Sequence, residues 1–399
     1  MSHVKRRRHL LWLIALALVI AACGDGADTD ATDTTAGDGT TETTSEETDT
    51  TAGGSATTVA PEECTEPDDV RVQLQWFAQS QFAGYYVALD NGFYEAHCLN
   101  VEILEGGVDI VPQQVLATGG AEFGLAWVPK ALVSREGGAN IVNIAQVFER
   151  SGTLEVSFAD SGIETPEDWA GKKVGNWGFG NEFELTAAIA LFEVPDVELV
   201  GQDFTMNALL NGEIDAAEAM IYNEYAQVLE AINPATGELY QPEDLNVIDF
   251  NEVGTAMLQD AVWVDADWIA EEGNEDVATR FLAATFQGWI HCLDNFDECV
   301  EVVLNNGSTL GQSHQEWQLN EILALIFPAT NGIGVMNADL WDQTVAIATE
   351  QIQELQGVEI PADAYRTDLA EAAIALLGDA DVTGSGYERR DIELLEGGG

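Results

Sequence analysis

Between residues 76 and 86 the chain reads Trp76-Phe77-Ala78-Gln79-Ser80-Gln81-Phe82-Ala83-Gly84-Tyr85-Tyr86, five aromatic rings and two side-chain amides in eleven residues. Aromatic faces stack on flat rings, and amides both donate and accept, so this combination suits a flat, neutral heterocycle. Trp76, Phe82, Tyr85 and Tyr86 are the candidate contacts. On a helix Tyr85 and Tyr86 point about 100° apart, so both cannot face one ligand equally; three of the five rings are expected to line a pocket. A second loop, Asn176-Trp177-Gly178-Phe179-Gly180-Asn181-Glu182-Phe183, is expected to set Trp177 opposite Trp76. Its glycines have no following lysine and no Walker spacing, which excludes a phosphate cradle. Glu182 is placed to accept from an exocyclic amine, or else to sit as a solvated charge in a first helical turn, where the macrodipole favours it.

Two further strand ends complete the candidate site. Trp127 follows an apolar run at 123–126, and Tyr222, Asn223 and Glu224 follow another ending at Met220, while Tyr225 reads as core. Asp260 falls where the chain is expected to cross between two halves, serving the hinge or the ligand. Catalysis is not indicated. His97, His291 and His314 are read as surface or structural positions away from the strand-end loops, and no nucleophile–base set or metal cluster emerges. No cofactor and no metal are expected. The four cysteines after residue 23, Cys64, Cys98, Cys292 and Cys299, are an even number, as two disulfides require. Cys292 with Cys299 would clip a helical corner and leave Cys64 with Cys98, although three pairings are formally possible.

These loops need a scaffold, and the pattern supplies one. Short β-rich runs at 70–76, 101–104, 123–126 and 141–147 alternate with amphipathic segments, which predicts an α/β fold with largely parallel sheets. One phrase occurs twice: a strand ending in tryptophan (Trp76, Trp177), a polar or glycine-rich loop, a helix, then Leu-x-x-Gly-x-x-acid (Leu116 to Glu122, Leu209 to Asp215) before another strand. The glycine fits a helix C-cap. The repetition predicts two α/β lobes with a ligand cleft where strands end and helices begin. The expected divisions are a first lobe at 64–158, a second at 159–258, and a return to the first at 259–399, largely helical, with a frayed tail from Gly378.

Ahead of the folded part, Lys5 to Arg8 and an apolar run of about 13 residues, against roughly 20 for a bilayer span, predict a signal peptide over 1–23. Its end, Val19-Ile20-Ala21-Ala22-Cys23, resembles a bacterial lipobox, making Cys23 the expected lipidation site. Residues 24–63 are almost all small or acidic and are expected to be disordered. Such a tether reaches about 35 Å. All 70 acidic residues follow Cys23 while four of the 14 basic ones precede it, a net charge of −60 for the remainder. Nucleic acid is therefore excluded as a partner, and anionic ligands are disfavoured.

Leu74-Gln75-Trp76-Phe77 through Phe82 to Ala88, Gly92-Phe93-Tyr94, Phe123-Gly124, Gly171 to Gly175, Gly180-Asn181-Glu182 and Tyr222-Asn223-Glu224 resemble the solute-binding proteins related to yeast thiamine-pyrimidine synthase and to sulfonate and nitrate binding proteins. The resemblance implies a bilobal periplasmic-binding-protein fold of the second structural type, acting as a monomer on the outer face of the cytoplasmic membrane. An ABC permease and ATPase are the implied partners. The aromatic first loop is most similar to the branch binding thiamine pyrimidine precursors or riboflavin; a sulfonate would require a cleft cation such as Lys130. The synthase members carry a cysteine cluster and an active-site histidine that have no counterpart here, so no enzymatic activity is expected.

Overall fold

The computed structural model describes residues 64–307, 309 and 311–399. The expected signal peptide, Cys23 and the acidic tether lie outside the described residues. Ten strands are defined: β1 (Asp68–Gln73), β2 (Leu99–Leu104), β3 (Phe123–Trp127), β4 (Ile141–Gln146), β5 (Thr153–Phe158), β6 (Lys173–Asn176), β7 (Glu198–Gly201), β8 (Ala217–Met220), β9 (Leu245–Asp249) and β10 (Asp260–Asp265). One sheet has the order β2-β1-β3-β10-β4, a second β8-β5-β9, and β6 pairs with β7. A parallel bridge from Val174 to Ala216 ties β6 to the approach to β8.

The two halves repeat one arrangement. In the first sheet β1 is parallel to β2 and β3, and β10 runs antiparallel between β3 and β4. In the second half β6 is parallel to β7, and β5 runs antiparallel between β8 and β9. The strand order β7-β6-β8-β5-β9 thus mirrors β2-β1-β3-β10-β4. Each sheet is mostly parallel with one antiparallel strand inserted, and the inserted strand is the one that arrives from the other half. The first crossing therefore precedes β5, at 147–152, rather than lying near Phe158 to Asp160. β3 and β4 are buried along their whole length, as expected for strands covered on both faces.

Helices fix the loop after β1. The helix Ala83–Asp90 packs against Asn274–Asp294, and the two cross at glycines. A Cβ on Gly84 would lie 2.3 Å from the Trp289 ring, and one on Gly288 would lie 2.0 Å from the Gly84 carbonyl oxygen. Cys292 and Cys299 join that helix to Phe296–Asn305, and Cys64 joins Cys98 just before β2, with Cα separations of 5.7 and 5.4 Å. The C-terminal segment is docked, not frayed. Tyr387 Oη donates to the Asn320 carbonyl at 2.7 Å, Arg389 pairs with Glu321, and the Leu395 N–H bonds Ser313 Oγ. Val382 and Ile392 pack on the main core, apolar contacts that the polar composition of the tail conceals.

Candidate functional site

The ends of β1, β3, β6 and β8 converge on one cavity of about 140 Å3, and the start of β10 is hydrogen-bonded to its lining. Since β10 is antiparallel, its first residue, Asp260, lies level with the last residues of its neighbours: Asp260 pairs with Trp127 in register. Trp76, Trp127, Trp177 and Tyr222 supply aromatic walls, and Asn223 and Glu224 polar edges. Trp76 meets Phe204, with centroids 4.5 Å apart, and its chain neighbour Phe77 edge-on at 5.3 Å. Phe204 follows β7 as Val108 and Ile110 follow β2, so all six parallel-strand ends of the repeat reach the cavity. The sequence reading used four of them. Extending the repeat to β2 and β7 would have found the other two.

Four candidates do not line the cavity. Phe82 and Tyr85 are core residues, the latter edge-on to Trp289 with centroids 6.1 Å apart. Tyr86 is also buried, and burial, with Glu105 nearby, pushes its hydroxyl up to about 12. Only Trp76 of the five clustered rings reaches the cavity, because the helix Ala83–Asp90 turns its tyrosines onto core packing. Glu182 folds back: its carboxylate accepts the Gly180 N–H at 2.9 Å, a geometry that the left-handed Gly178 and Gly180 permit.

Asp260 is buried behind the lining and anchors three of its residues. Its Oδ1 accepts Gln75 Nε2 at 2.6 Å and Trp127 Nε1 at 2.8 Å, and its Oδ2 accepts Gln81 Nε2 at 2.9 Å. Burial pushes this carboxyl up to about 6, opposed by those three donors and by Lys130. On the other half, Glu224 accepts the Met220 N–H and Asn223 Nδ2, at 3.0 and 2.8 Å. Burial raises it to about 7. Behind the wall, Glu218 accepts the Trp177 N–H and stands opposite Glu155 across the β5–β8 pair. Burial raises both carboxyls well above the usual range. Lys130 is the cation lining the cavity; it donates to Asn181 Oδ1 at 3.1 Å, and burial lowers its ammonium.

His314 corrects the reading that placed every retained histidine away from the strand-end loops. It is fully buried, with Nε2 2.9 Å from Asn223 Oδ1 and Nδ1 2.7 Å from Glu230 Oε1. It thus holds Asn223 from behind. His97 and His291 do lie elsewhere, beside Arg280 and Glu298. Among the described residues no group of three metal-ligating side chains occurs, and no helix is long and apolar enough to cross a membrane.

Comparison with known proteins follows the same lines. Residues 79–299 match the family described as NMT1/THI5 like. A formylaminopyrimidine-binding protein of Halalkalibacterium halodurans is 25% identical over 288 residues, covering 70% of this chain and 84% of the relative. The riboflavin-binding protein RibY of Chloroflexus aurantiacus is 24% identical over 308 residues, covering 72% and 82%. Among solved structures, the periplasmic aliphatic sulphonate binding protein SsuA of Escherichia coli aligns with a TM-score of 0.54 at 15% identity, over 82% of this chain and 94% of that one. At that identity the likeness is one of fold: an α/β, bilobal periplasmic-binding-protein architecture.

Proposed function

The chain belongs to the NMT1/THI5-like family, and from that premise we propose that it is the solute receptor of an ABC importer, capturing an amino-substituted pyrimidine of the thiamine-precursor type. The carrying observation is the cavity itself. Aromatic rings from both halves bound a small space whose polar edge is rich in amides, with the Glu224 carboxylate among them and Asp260 bonded behind Gln75, Gln81 and Trp127. Stacking holds a flat ring, and acceptors hold its amines. Glu182 and Asp260 near Lys130 oppose a sulfonate.

In this reading the two halves close over the ligand and present it to a permease and its ATPase. The protein acts as a monomer without chemical conversion, held by a lipid on Cys23 at the outer face of the cytoplasmic membrane. The test is a calorimetric and thermal-shift panel on the full chain with formylaminopyrimidine, riboflavin and an alkanesulfonate. Native-state binding at a hundredfold excess over Kd stabilises by about 2.7 kcal/mol. A response to formylaminopyrimidine, with the ligand recovered unchanged, is expected. A response to riboflavin or sulfonate alone would overturn the ligand, and conversion of the ligand would overturn the receptor role. Palmitate labelling that persists in Cys23→Ala would overturn the anchor.

A further inference from the structure

Gln75, Gln79 and Gln81 line the cavity beside Asp260. A side-chain amide can present either its oxygen or its nitrogen to a ligand, and nothing in a glutamine alone decides which. Here the neighbour decides. An ionised carboxylate only accepts, so Gln75 and Gln81 must turn their Nε2 groups toward Asp260, at 2.6 and 2.9 Å. The Trp127 indole N–H, which cannot flip, occupies the same carboxylate at 2.8 Å. With its nitrogen committed, Gln81 presents Oε1 to Gln79, whose Nε2 donates to it at 2.7 Å. The relay therefore runs in one direction and ends with the Gln79 oxygen. Neither Gln75 Oε1 nor Gln79 Oε1 has a side-chain or backbone partner among the described residues.

We infer that Asp260 is the specificity-determining positioning residue of the cleft: it polarises the Gln75 and Gln81–Gln79 amides so that carbonyl oxygens face the ligand, selecting rings that carry amines over isosteric rings that carry carbonyls. This rests on the reading of the cleft as a receptor for an amino-bearing ring. A site built to accept a hydrogen bond rejects the analogue lacking the donor, because its own polar groups are then left unpaired. The structure also specifies how the selection is weakened. In Asp260→Asn the new amide keeps its oxygen on Gln75 and Trp127 and offers a donor to Gln81. Gln81 then flips, Gln79 follows, and a nitrogen faces the cleft.

Two measurements on the full chain test this. The first is binding of a matched pair, a 4-aminopyrimidine and the corresponding 4-pyrimidinone, to the parent, to Asp260→Asn and to Gln81→Met, which cuts the relay while leaving Asp260 bonded to Gln75 and Trp127. The parent should favour the amine at least tenfold, and the ratio should fall several-fold in Asp260→Asn and in Gln81→Met, the Gln75 oxygen keeping part of the preference in both. Equal weakening of both rings, with the ratio kept, would reduce Asp260 to a structural role and overturn the inference. The second is neutron diffraction from ligand-free crystals, which separates a deuterated amide nitrogen from an oxygen. Nitrogen of Gln75 and Gln81 toward Asp260 is expected, and oxygen there would overturn the inference whatever binds. If the parent binds neither pyrimidine while the neutron map shows the stated orientation, the pyrimidine reading falls and the polarised relay stands.

Discussion

Trp177 bounds one side of the cavity from the end of β6, its backbone N–H fixed on the buried Glu218 carboxylate. A ring held this way is pre-organised, so its removal costs contact area and stacking together. Trp177→Ala should weaken ligand binding on the order of 10- to 100-fold by calorimetry. Tyr85 makes the opposite case. It is buried against Trp289, so Tyr85→Phe should leave affinity unchanged, while Tyr85→Ala should cost about 3–5 kcal/mol of stability in denaturant unfolding. Loss of affinity in Tyr85→Phe would return that residue to the site. The density of aromatics at 76–86 reads alike whether the rings meet a ligand or a helix. What separates Trp76 from Tyr85 is the helix Asn274–Asp294, far along the chain, and no local pattern encodes that contact. The same holds for His314, whose partners Asn223 and Glu230 come from another half of the fold.

Elements were more legible than residues. The doubled strand–tryptophan–loop–helix phrase announced two similar sheets because each repeat carries its own local signals: a β-rich run, a C-cap glycine, an acidic residue before the next strand. The antiparallel strand inserted in each sheet was not legible, since pairing partners distant in sequence leave no periodic trace. Two changes separate support of the site from support of the chain. In Gly288→Ala the new Cβ meets the Gly84 carbonyl, which is backbone and cannot rotate away, so the helix bearing the first loop must shift. Both stability, by about 1–3 kcal/mol, and affinity should fall. Replacing Cys64 and Cys98 by serine opens a loop of 34 residues and should cost about 2–4 kcal/mol, with affinity unchanged because the bridge lies at the start of β1 and β2, the end of the sheet away from the cavity. An affinity loss in the serine variant would place that bridge in the support of the site.

At the scale of the molecule, the acidity has two parts that respond differently to solution conditions. Most of the excess charge is on the surface, where self-repulsion is screened by salt. A smaller set is buried: Glu184, Glu224 and Asp260 are raised by burial to about 8, 7 and 6, and Glu155 and Glu218 lie well above the usual range. An acid whose folded value exceeds its unfolded value holds a proton in the native state that the unfolded chain releases. Stability from that group is complete below the unfolded value and is lost as pH rises toward the folded one, here from about 4.5 to 8. The protein should therefore unfold at a higher temperature at pH 5 than at pH 8, and high salt should reduce this difference without abolishing it. Glu184 isolates the buried part. Its Oε1 accepts the Met257 N–H and its Oε2 the Ser151 hydroxyl, both at 2.7 Å; a glutamine keeps the first contact but not the second, because Ser151 Oγ already accepts the Thr153 N–H and Gln259 Nε2, a loss that is the same at every pH. Glu184→Gln cannot ionise, so it should remove about 3 kcal/mol of the stability difference between the two pH values. Relative to the parent the variant should be more stable at pH 8 than at pH 5, in high and low salt alike. A variant whose pH dependence parallels the parent's would assign the whole effect to surface charge.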